Sequence, residues 1–400
     1  MSAVLRDMRD NGGRVRFDAL PPLSLYVHLP WCVRKCPYCD FNSHELGRNA
    51  RGALGELPEA EYVAALLRDV EGMLPQVWGR RIRSVFIGGG TPSLFGAKSV
   101  DALLAGVRSR LQVEPEAEIT MEANPGTAEA GRFRGYREAG VNRLSLGVQS
   151  FDDAMLAALG RIHSAEEARR AIGLALATFG NVNIDLMYGL PGQALAMARA
   201  DLEEGIRFGT PHLSAYQLTL EPNTVFHAHP PALPGEDACA DMQTMAEEAL
   251  GAAGFEHYET SAFARAGHRC RHNLNYWQFG DYLGIGAGAH GKLSFADRVT
   301  RHERIKQPRE YLAAGGAAAP REIAPKELPF EFMLNALRLV EGFPRTLFSE
   351  RTGLAAFLIE KQVREAERRG LLETGDAQLR PTPLGRRFLN DLTALFLPQE

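Results

Sequence analysis

YVHLPWCVRKCPYCDFN, residues 26 to 42, is the stretch of this sequence that decides the fold. It continues the apolar run 23–29, which predicts a buried strand, and it sets Cys32, Cys36 and Cys39 in a CxxxCxxC array. Three thiolates on one short loop can hold three irons of a 4Fe–4S cluster and leave the fourth iron open. An open iron can be chelated by the amino and carboxylate groups of S-adenosylmethionine (SAM). We therefore interpret this loop as a cluster site.

Two other uses of the cysteines explain the loop less well. A structural zinc site normally needs four ligands, commonly in two separated pairs, and the remaining Cys239 and Cys270 are far away and unpaired. Five cysteines in 400 residues and no signal peptide are typical of a reduced, cytoplasmic protein. A disulfide is therefore not expected.

The composition limits the classes of function. With 45% apolar and 24% charged residues the chain has the material for a large core, and its net charge of −4 argues against general nucleic-acid binding. No window approaches the roughly 20 apolar residues that a membrane-spanning helix needs. Residues 1–20 are charged and lack an apolar segment, which favours a flexible tail.

Strand-like and helical patterns alternate from residue 23 to about residue 255. The predicted strands are 23–29, 84–87, 118–122, 143–148, 182–187 and 213–218, and the predicted helices are 59–74, 98–111, 128–139, 165–179, 196–208 and 237–253. Six β/α units predict an α/β fold with a parallel sheet and right-handed crossovers. Six units are too few for a complete eight-stranded barrel, so we expect a partial, TIM-like (β/α)6 barrel. A doubly wound sheet is the alternative.

Each predicted strand ends in a loop with polar, glycine or cysteine residues. The cysteine loop follows the first strand, and the next ones end at 88–92 (GGGTP), 122–125 (EANP), 147–151 (GVQSF), 185–192 (DLMYGLPG) and 217–222 (QLTLEP). Parallel α/β proteins place their sites at this edge of the sheet. The strand ends therefore predict one shared site.

Residues 257–291 are rich in histidine, aromatic residues and glycine. Gly284, Gly286 and Gly288 form GxGxG, but no complete βαβ unit surrounds them, so tight packing against the barrel mouth is favoured over nucleotide binding. The functional interpretation is a pocket of aromatics and an imidazole, which suits a flat macrocycle.

The last part of the chain has a different pattern. Residues 313–320 (AAGGAAAP) look like a boundary, and helix, helix, hairpin and helix follow in a winged-helix-like order. Acidic residues are mixed with the arginines and no basic stripe emerges, so a structural or partner-contacting domain is favoured over DNA recognition.

Several motifs occur together and in order: CxxxCxxC, GGGTPS at 88–93, MEANPG at 121–126, NRLSLGVQSF at 142–151, NIDLMYGLPGQ at 183–193 and HNLNYW at 272–277. With them the chain resembles the HemW branch of the oxygen-independent coproporphyrinogen III oxidase (HemN-like) family, over roughly residues 20 to 395. The resemblance implies a radical-SAM core at 21–255, a connecting region at 256–312 and a mostly helical, HemN-like C-terminal domain at 321–400.

The resemblance also implies which residues bind cofactors. It places a 4Fe–4S cluster on Cys32, Cys36 and Cys39, and SAM against Tyr26, Tyr38, Gly89, Gly90, Thr91, Glu122, Gln149, Arg161 and Asp185. It makes His272 the first candidate to contact or ligate heme iron, with Tyr276 and Trp277 against the macrocycle. His290 and Cys270 are competing ligands, and core packing is the alternative for the two aromatics.

Two departures from the true oxidases decide the functional expectation. Those enzymes resemble one another in a CxxxCxxCxC pattern, with a fourth cysteine two positions after the third, and Phe41 occupies that position here. They also carry a longer N-terminal arm, whereas only 25 residues precede Tyr26. We therefore expect a cytoplasmic heme chaperone that passes heme to acceptor proteins, whether or not it is also an enzyme. The alternatives are oxidative decarboxylation of porphyrinogen propionates and a purely structural iron–sulfur protein. A homodimer and transient contact with membrane heme proteins stay open.

Overall fold

A twelve-stranded sheet forms the body of the molecule in the computed structural model, which describes residues 13–47, 55–127, 130–314, 320–375 and 377–398. The strands in chain order are Leu23–Leu29 (β1), Trp31–Cys32 (β2), His44–Glu45 (β3), Arg81–Gly89 (β4), Gln112–Ala123 (β5), Arg143–Gln149 (β6), Val182–Tyr188 (β7), His212–Gln217 (β8), Glu256–Glu259 (β9), Ala262–Ala264 (β10), Asp281–Ile285 (β11), His290–Ser294 (β12), Val299–Glu303 (β13), Arg321–Glu322 (β14), Phe343–Pro344 (β15), Leu372–Thr374 (β16) and Gln378–Pro381 (β17). All six predicted strands are present, as β1 and β4 to β8.

The order of the parallel strands decides between the two predicted architectures. They lie side by side as β11-β1-β4-β5-β6-β7-β8, and from β1 onward each strand is next to its successor in this series. A doubly wound sheet reverses its order at a switch point, and none occurs here. With right-handed crossovers, a constant direction puts the helices on one face and curls the sheet toward a barrel. The partial barrel is confirmed.

The predicted helices of the barrel are also present, although residues 128–129 of one of them lie outside the described residues. The helices are Glu59–Val77 (α1), Ala97–Arg108 (α2), Ala130–Ala139 (α3), Asp153–Ala158 (α4), Ala165–Thr178 (α5), Leu195–Arg207 (α6), Val225–Ala228 (α7), Glu236–Ala252 (α8), Arg271–Trp277 (α9), Pro308–Ala314 (α10), Leu328–Ala336 (α11), Thr346–Thr352 (α12), Glu360–Arg368 (α13), Pro383–Arg387 (α14) and Leu389–Ala394 (α15). None of the helices in the described ranges is long and apolar enough to cross a bilayer.

Sequence periodicity explains why these helices form and which face they bury. In α1 the buried residues Tyr62, Leu66, Val70 and Met73 recur every three or four positions, so they form one apolar stripe against the sheet. Helix α5 begins at a capping box, in which the Ser164 side chain and Glu167 satisfy each other's backbone N–H groups. Local sequence and core packing therefore specify the same elements.

Residues 256–303 extend the sheet at both edges, which the sequence did not predict. Strands β9 and β10 add antiparallel pairing beyond β8, whereas β11 pairs in parallel with β1 and leads into β12, β13 and β14. These strands have two to five residues each, too short for a clear alternating pattern. The predicted segment at the barrel mouth is therefore part of the sheet.

The GxGxG glycines permit close packing of backbones. A Cβ on Gly284 would lie 1.9 Å from the carbonyl oxygen of His290. Gly286 has φ +101°, and a Cβ there would lie 2.3 Å from the carbonyl oxygen of His28. The motif therefore serves the contact between β11, β12 and β1, as the packing interpretation predicted.

A second apolar core is built from α11, α12, α13, α15 and the small sheet β15-β17-β16, and Phe279 and Val299 of the preceding region join it. The predicted helices and hairpin are present, with α12 as an additional helix before the hairpin and two short helices, α14 and α15, after it. Residues 315–319 of the predicted boundary lie outside the described residues. Of the predicted tail, residues 1–12 are likewise outside, but Val15 is buried in this core and Arg16 N–H donates to the Gly353 carbonyl. The second half of that tail is thus packed rather than flexible.

A buried ion pair ties helix α1 to the outer strands. Asp69 accepts from Arg304, from the Tyr311 hydroxyl and from the Gly286 N–H, and its oxygen lies 2.7 Å from Arg304 Nη2. Both charged side chains are almost inaccessible to solvent. A charge without its partner is costly in such a place, so this cluster fixes the outer strands against the barrel.

We predict that Asp69→Ala lowers the free energy of unfolding by about 3–5 kcal/mol, because it leaves the Arg304 guanidinium buried without its carboxylate. Chemical denaturation measures this. The matched control is Glu71→Ala on the same helix, which removes the exposed pair with Arg110 and should cost less than about 1 kcal/mol. Equal losses in the two variants would contradict the assignment.

Candidate functional site

The carboxyl ends of the parallel strands enclose a cavity of about 500 Å³, the cysteine cavity, which all three loop cysteines line. Of the nine residues predicted to contact SAM, eight also line it: Tyr38, Gly89, Gly90, Thr91, Glu122, Gln149, Arg161 and Asp185. Tyr26 does not; it lies in the neighbouring cavity and its hydroxyl is 2.7 Å from His28 Nδ1. The structure thus brings the predicted strand ends together at one place.

The cysteine loop is closed at its base by a short parallel bridge. Trp31 pairs with His44 and Cys32 with Glu45, and inside the loop Cys39 N–H donates to the Cys36 carbonyl at 3.1 Å. This closure directs the three thiols toward one cavity.

Each thiol has a polar neighbour from a different element. Thr91 donates to Cys32 Sγ at 3.4 Å, Arg161 Nη1 donates to Cys36 Sγ at 3.6 Å, and Ser43 Oγ lies 3.7 Å from Cys39 Sγ. Donors of this kind stabilise thiolates and cluster sulfurs.

Asn42, the last residue of the opening stretch, anchors the loop to the outer strands. Its Nδ2 donates to the carbonyls of Ala287 and Lys306, both at 2.9 Å, and its own carbonyl lies 2.9 Å from His28 Nε2. Gly288 has φ +79°, and a Cβ there would lie 2.2 Å from Asn42 Nδ2. The sequence analysis did not identify this residue, because the partners of its side-chain amide, Ala287 and Lys306, are more than 200 positions away.

The glycine edge opposite the loop lets backbones approach closely. Gly90 N–H donates to the Leu29 carbonyl at 2.8 Å, and a Cβ on Gly90 would lie 2.6 Å from the Trp31 carbonyl oxygen. Gly89 has φ +120°, where side chains are disfavoured. The GGGTP sequence therefore joins β4 to the base of the cysteine loop, and Gly89 and Gly90 line the cavity.

The far wall of the cavity is held by Arg161 and by unusual backbone at Gln149. Arg161 Nη2 donates to Asn124 Oδ1 at 2.6 Å and to the Gly147 carbonyl at 2.7 Å. Gln149 adopts φ +69°, next to a register shift between β6 and β7. A non-glycine residue with positive φ is strained and persists only where the surrounding structure holds it. Such residues are concentrated at ligand sites.

Burial changes the pKa of the cysteine thiols when no metal is bound. It raises the pKa of the Cys32 thiol to about 11, opposed by the hydrogen bond from Thr91, and it also raises the pKa of Cys39. Metal binding needs thiolates, so loading this loop with iron releases protons.

The two carboxyl groups at strand ends lie deep in the cavity. Burial, together with the neighbouring Asp185 carboxyl, raises the pKa of Glu122 to about 8, and burial raises the pKa of Asp185 as well. The Gly89 N–H donates to Glu122 Oε2 at 3.2 Å. A cationic ligand or one with hydroxyl donors would stabilise these carboxylates.

A polar network inside the barrel was missed by the sequence analysis. Asn183 Nδ2 donates to Ser145 Oγ and to Asp185 Oδ1, both at 2.8 Å, and Asn183 Oδ1 lies 2.6 Å from His212 Nδ1. These residues alternate along β6, β7 and β8 and so face inward. That alternation was a usable signal, because polar residues on the inner face of a barrel strand need partners there.

His272, the first heme-ligand candidate, lies at the inner end of the cysteine cavity and is 5% exposed. Its Nδ1 is 3.1 Å from Cys270 Sγ and 3.3 Å from Glu118 Oε1, and its ring stacks on Phe86 with centroids 4.2 Å apart. Burial alone would raise the pKa of Glu118, but hydrogen bonds from His272 and the charge of Arg143 lower it to about 2. His272 therefore lies against an ionised carboxylate inside the barrel.

A second cavity of about 730 Å³, the aromatic cavity, adjoins the first. Tyr276 and Trp277 line it, together with His290, whereas His272 does not. The HNLNYW motif thus divides between two cavities. Six residues line both: Asp40, Phe41, Ser43, Phe86, Gly89 and Glu122.

The chain is similar to known proteins over most of its length. Residues 26–204 match the model of the Radical SAM superfamily, and residues 323–388 match the HemN C-terminal domain. The heme chaperone HemW of Escherichia coli K12 is 49% identical over 385 residues, which cover 95% of this chain and 99% of that protein. The mitochondrial radical S-adenosyl methionine domain-containing protein 1 of Bos taurus is 36% identical, over 92% of this chain and 86% of that one.

Among solved structures, coproporphyrinogen III oxidase (HemN) of Escherichia coli, described as a radical SAM enzyme, superimposes with a TM-score of 0.76. It is 21% identical, and the match covers 98% of each chain. This likeness supports the fold alone, including the helical C-terminal part.

We predict that Glu122→Gln makes the stability of the cluster-free, SAM-free protein less dependent on pH. The pKa of Glu122 is raised in the folded state to about 8, so its contribution to stability is full below the unfolded pKa of about 4.3 and is lost as the pH rises toward 8. Because glutamine does not ionise, the unfolding free energy of the variant should fall less steeply as the pH rises. The difference in slope from the wild type should be up to about 1.4 kcal/mol per pH unit.

Urea denaturation at several pH values between 5 and 8 measures this difference, with exposed Glu71→Gln as the control that should keep the wild-type slope. A Glu122→Gln slope equal to that of the wild type would refute it.

Proposed function

The chain belongs to the HemW family of radical SAM proteins, and from that premise we propose that it is a heme chaperone, which binds heme and delivers it to acceptor proteins. The identity to those relatives extends over almost the whole chain, including the part after the radical SAM match. The proposal therefore rests on similarity along the whole chain and not on the cysteine loop alone.

The family implies a 4Fe–4S cluster and SAM as resident cofactors, and the donors in the cysteine cavity fit both groups. We assign the cluster to Cys32, Cys36 and Cys39, whose thiols share one cavity with an open glycine edge. We assign SAM to Tyr38, Gly89, Gly90, Thr91, Glu122, Gln149, Arg161 and Asp185, with Tyr26 acting from the neighbouring cavity. When bound, a cluster of this type supplies electron transfer and an open iron for SAM.

The observation that carries the chaperone proposal is the aromatic cavity beside the cysteine cavity. Its volume is in the range of specific ligand pockets, and aromatic rings including those of Tyr276 and Trp277 line it. Gly89 and Glu122 face both cavities, so a macrocycle in one would adjoin SAM in the other. In this proposal the cluster and SAM support or gate heme transfer.

Phe41 supports delivery of heme over synthesis of its precursor. It occupies the position of the fourth cysteine in the CxxxCxxCxC pattern of the oxidases. The residue is 59% exposed and lines both cavities. An apolar ring at this junction offers a contact surface to a macrocycle, and it cannot replace a thiol in redox chemistry or iron ligation. Oxidative decarboxylation of a porphyrinogen is the alternative that the experiment must exclude.

Heme-accepting proteins are the partners that this function requires. A cytoplasmic location, transient contact with membrane heme proteins and a homodimer belong to the same proposal.

One paired assay tests the function. The protein with its cluster reconstituted anaerobically is titrated with hemin, and is separately incubated with coproporphyrinogen III, SAM and a reductant. We expect a Soret band that saturates at stoichiometric hemin and no protoporphyrinogen. Multiple turnovers of porphyrinogen without stoichiometric hemin binding would overturn the chaperone proposal in favour of the oxidase.

We predict that Cys36→Ala abolishes the cluster, because two thiolates on the loop leave it under-ligated. Iron content and the visible absorbance of the reconstituted protein measure this. Cys239→Ala is the matched control, since Cys239 is buried at the start of α8, lines neither cavity and should leave iron content unchanged. Wild-type iron in Cys36→Ala would contradict the cluster assignment.

A further inference from the structure

The histidines that line the two cavities differ in whether a ring nitrogen is free. An axial imidazole must direct an unshared nitrogen at the iron of a broad, flat ring. His28 uses both nitrogens, with Nδ1 2.7 Å from the Tyr26 hydroxyl and Nε2 2.9 Å from the Asn42 carbonyl. His212 does the same between Asn183 and Tyr258. These two rings are structural.

The contacts of His272 make it a less favourable heme ligand than a histidine with free ring nitrogens. Its Nδ1 faces Cys270 and Glu118, its Nε2 is 3.5 Å from Cys270 Sγ, and Phe86 covers its ring face. A ligand bound at Nδ1 would have to replace the contacts with Cys270 and Glu118. His272 therefore offers a less accessible nitrogen than the ligand role suggested by the HNLNYW motif requires.

His290 has the geometry that the other rings lack. Its side chain is 54% exposed and lines the aromatic cavity, and within the described ranges neither ring nitrogen makes a hydrogen bond. By contrast His44, on the same wall, is held by Asn42 Oδ1 at 3.2 Å and by the backbone of Lys306. His290 is therefore the imidazole free to accept a metal.

The backbone and a carboxylate both support His290. Gly284 has no Cβ, which lets the His290 carbonyl pack against β11, and His290 pairs with Glu303 across β12 and β13. Glu303 Oε1 lies 3.8 Å from His290 Nδ1. Metal-bound histidines commonly donate their second N–H to a carboxylate, and at 3.8 Å Glu303 needs a closer approach to take that role and leave Nε2 for the metal.

The charges around the aromatic cavity fit a ligand with two carboxylates. Four cationic side chains line it, and two of them are already paired: Lys292 with Asp281 and Arg301 with Glu331. For the other two, Lys35 and Lys306, no carboxylate among the described residues lies within 4 Å of Nζ, and Lys35 Nζ donates to the Phe41 carbonyl. Two ammonium groups without a carboxylate partner beside aromatic walls favour a flat, apolar dianion, and Asp40 and Glu122 are the acidic side chains of the same lining.

We propose that heme lies in the aromatic cavity with its iron on His290 and its propionates toward Lys35 and Lys306, and not on His272. The inference rests on the proposed function, since it names the position of the cargo within it. Phe41 and Tyr276 then contact the macrocycle, and Gly89 and Glu122 separate it from the cysteine cavity.

The test of the iron ligand uses the full chain with its cluster reconstituted, titrated anaerobically with hemin and followed at the Soret band. His290→Ala should weaken binding by at least about tenfold and shift the Soret maximum, and added imidazole should restore the wild-type spectrum. His272→Ala should stay within about twofold of the wild type. The matched control is His229→Ala, an exposed histidine that lines neither cavity.

The propionate contacts have their own test. The double variant Lys35→Gln/Lys306→Gln should bind hemin about tenfold more weakly but bind hemin dimethyl ester, which has no carboxylates, like the wild type. Lys326→Gln/Lys361→Gln, which changes two exposed lysines outside the cavities, is its control.

The outcomes separate the inference from the function on which it rests. If the wild type binds hemin but His290→Ala keeps wild-type affinity and spectrum, the position of heme is wrong and the chaperone proposal stands. If the wild type binds no hemin, both are overturned.

Discussion

The site depends on one constraint: the cysteine loop must be held between the first barrel strand and strands that come much later in the chain. Asn42 meets this requirement, because its amide donates to the Ala287 and Lys306 carbonyls while its own carbonyl binds His28. Gly288 leaves the space that the Asn42 side chain fills. The loop that carries the thiols is therefore tied to the turn between β11 and β12 and to the segment after β13, so packing of the outer strands and the geometry of the site are linked.

Much of this arrangement could be predicted from the sequence, for physical reasons. The barrel strands and helices have strong periodicity, since each buries one face, and parallel strands present their carboxyl ends at the same edge. Residues as distant as Gly90, Gln149 and Asp185 were for that reason predicted to share a site, and all three line the cysteine cavity. The resemblance to a known family supplied their chemical roles, which strand periodicity alone does not contain.

The rest could not be predicted, because it depends on contacts without a local pattern. The short outer strands carry too few residues to show alternation. The Asn42 side chain contacts a residue 245 positions later in the sequence. The HNLNYW motif shows the same limit. Four residues advance a helix by about 6 Å, so His272 at one end of α9 faces the cysteine cavity while Tyr276 near the other end faces the aromatic cavity. A linear motif does not reveal that its residues serve two spaces.

The shared wall gives the two cavities a physical reason to communicate. Gly89 and Glu122 contact both spaces, and the Gly89 N–H donates to the Glu122 carboxyl. A ligand that ionises or reorients Glu122 from one side changes the charge and the hydrogen bonding presented to the other side. Coupling of this kind is reciprocal, so if SAM favours heme in the aromatic cavity, heme must favour SAM by the same free energy. Retention and release of the cargo can then follow the occupancy of the cysteine cavity without any turnover of SAM.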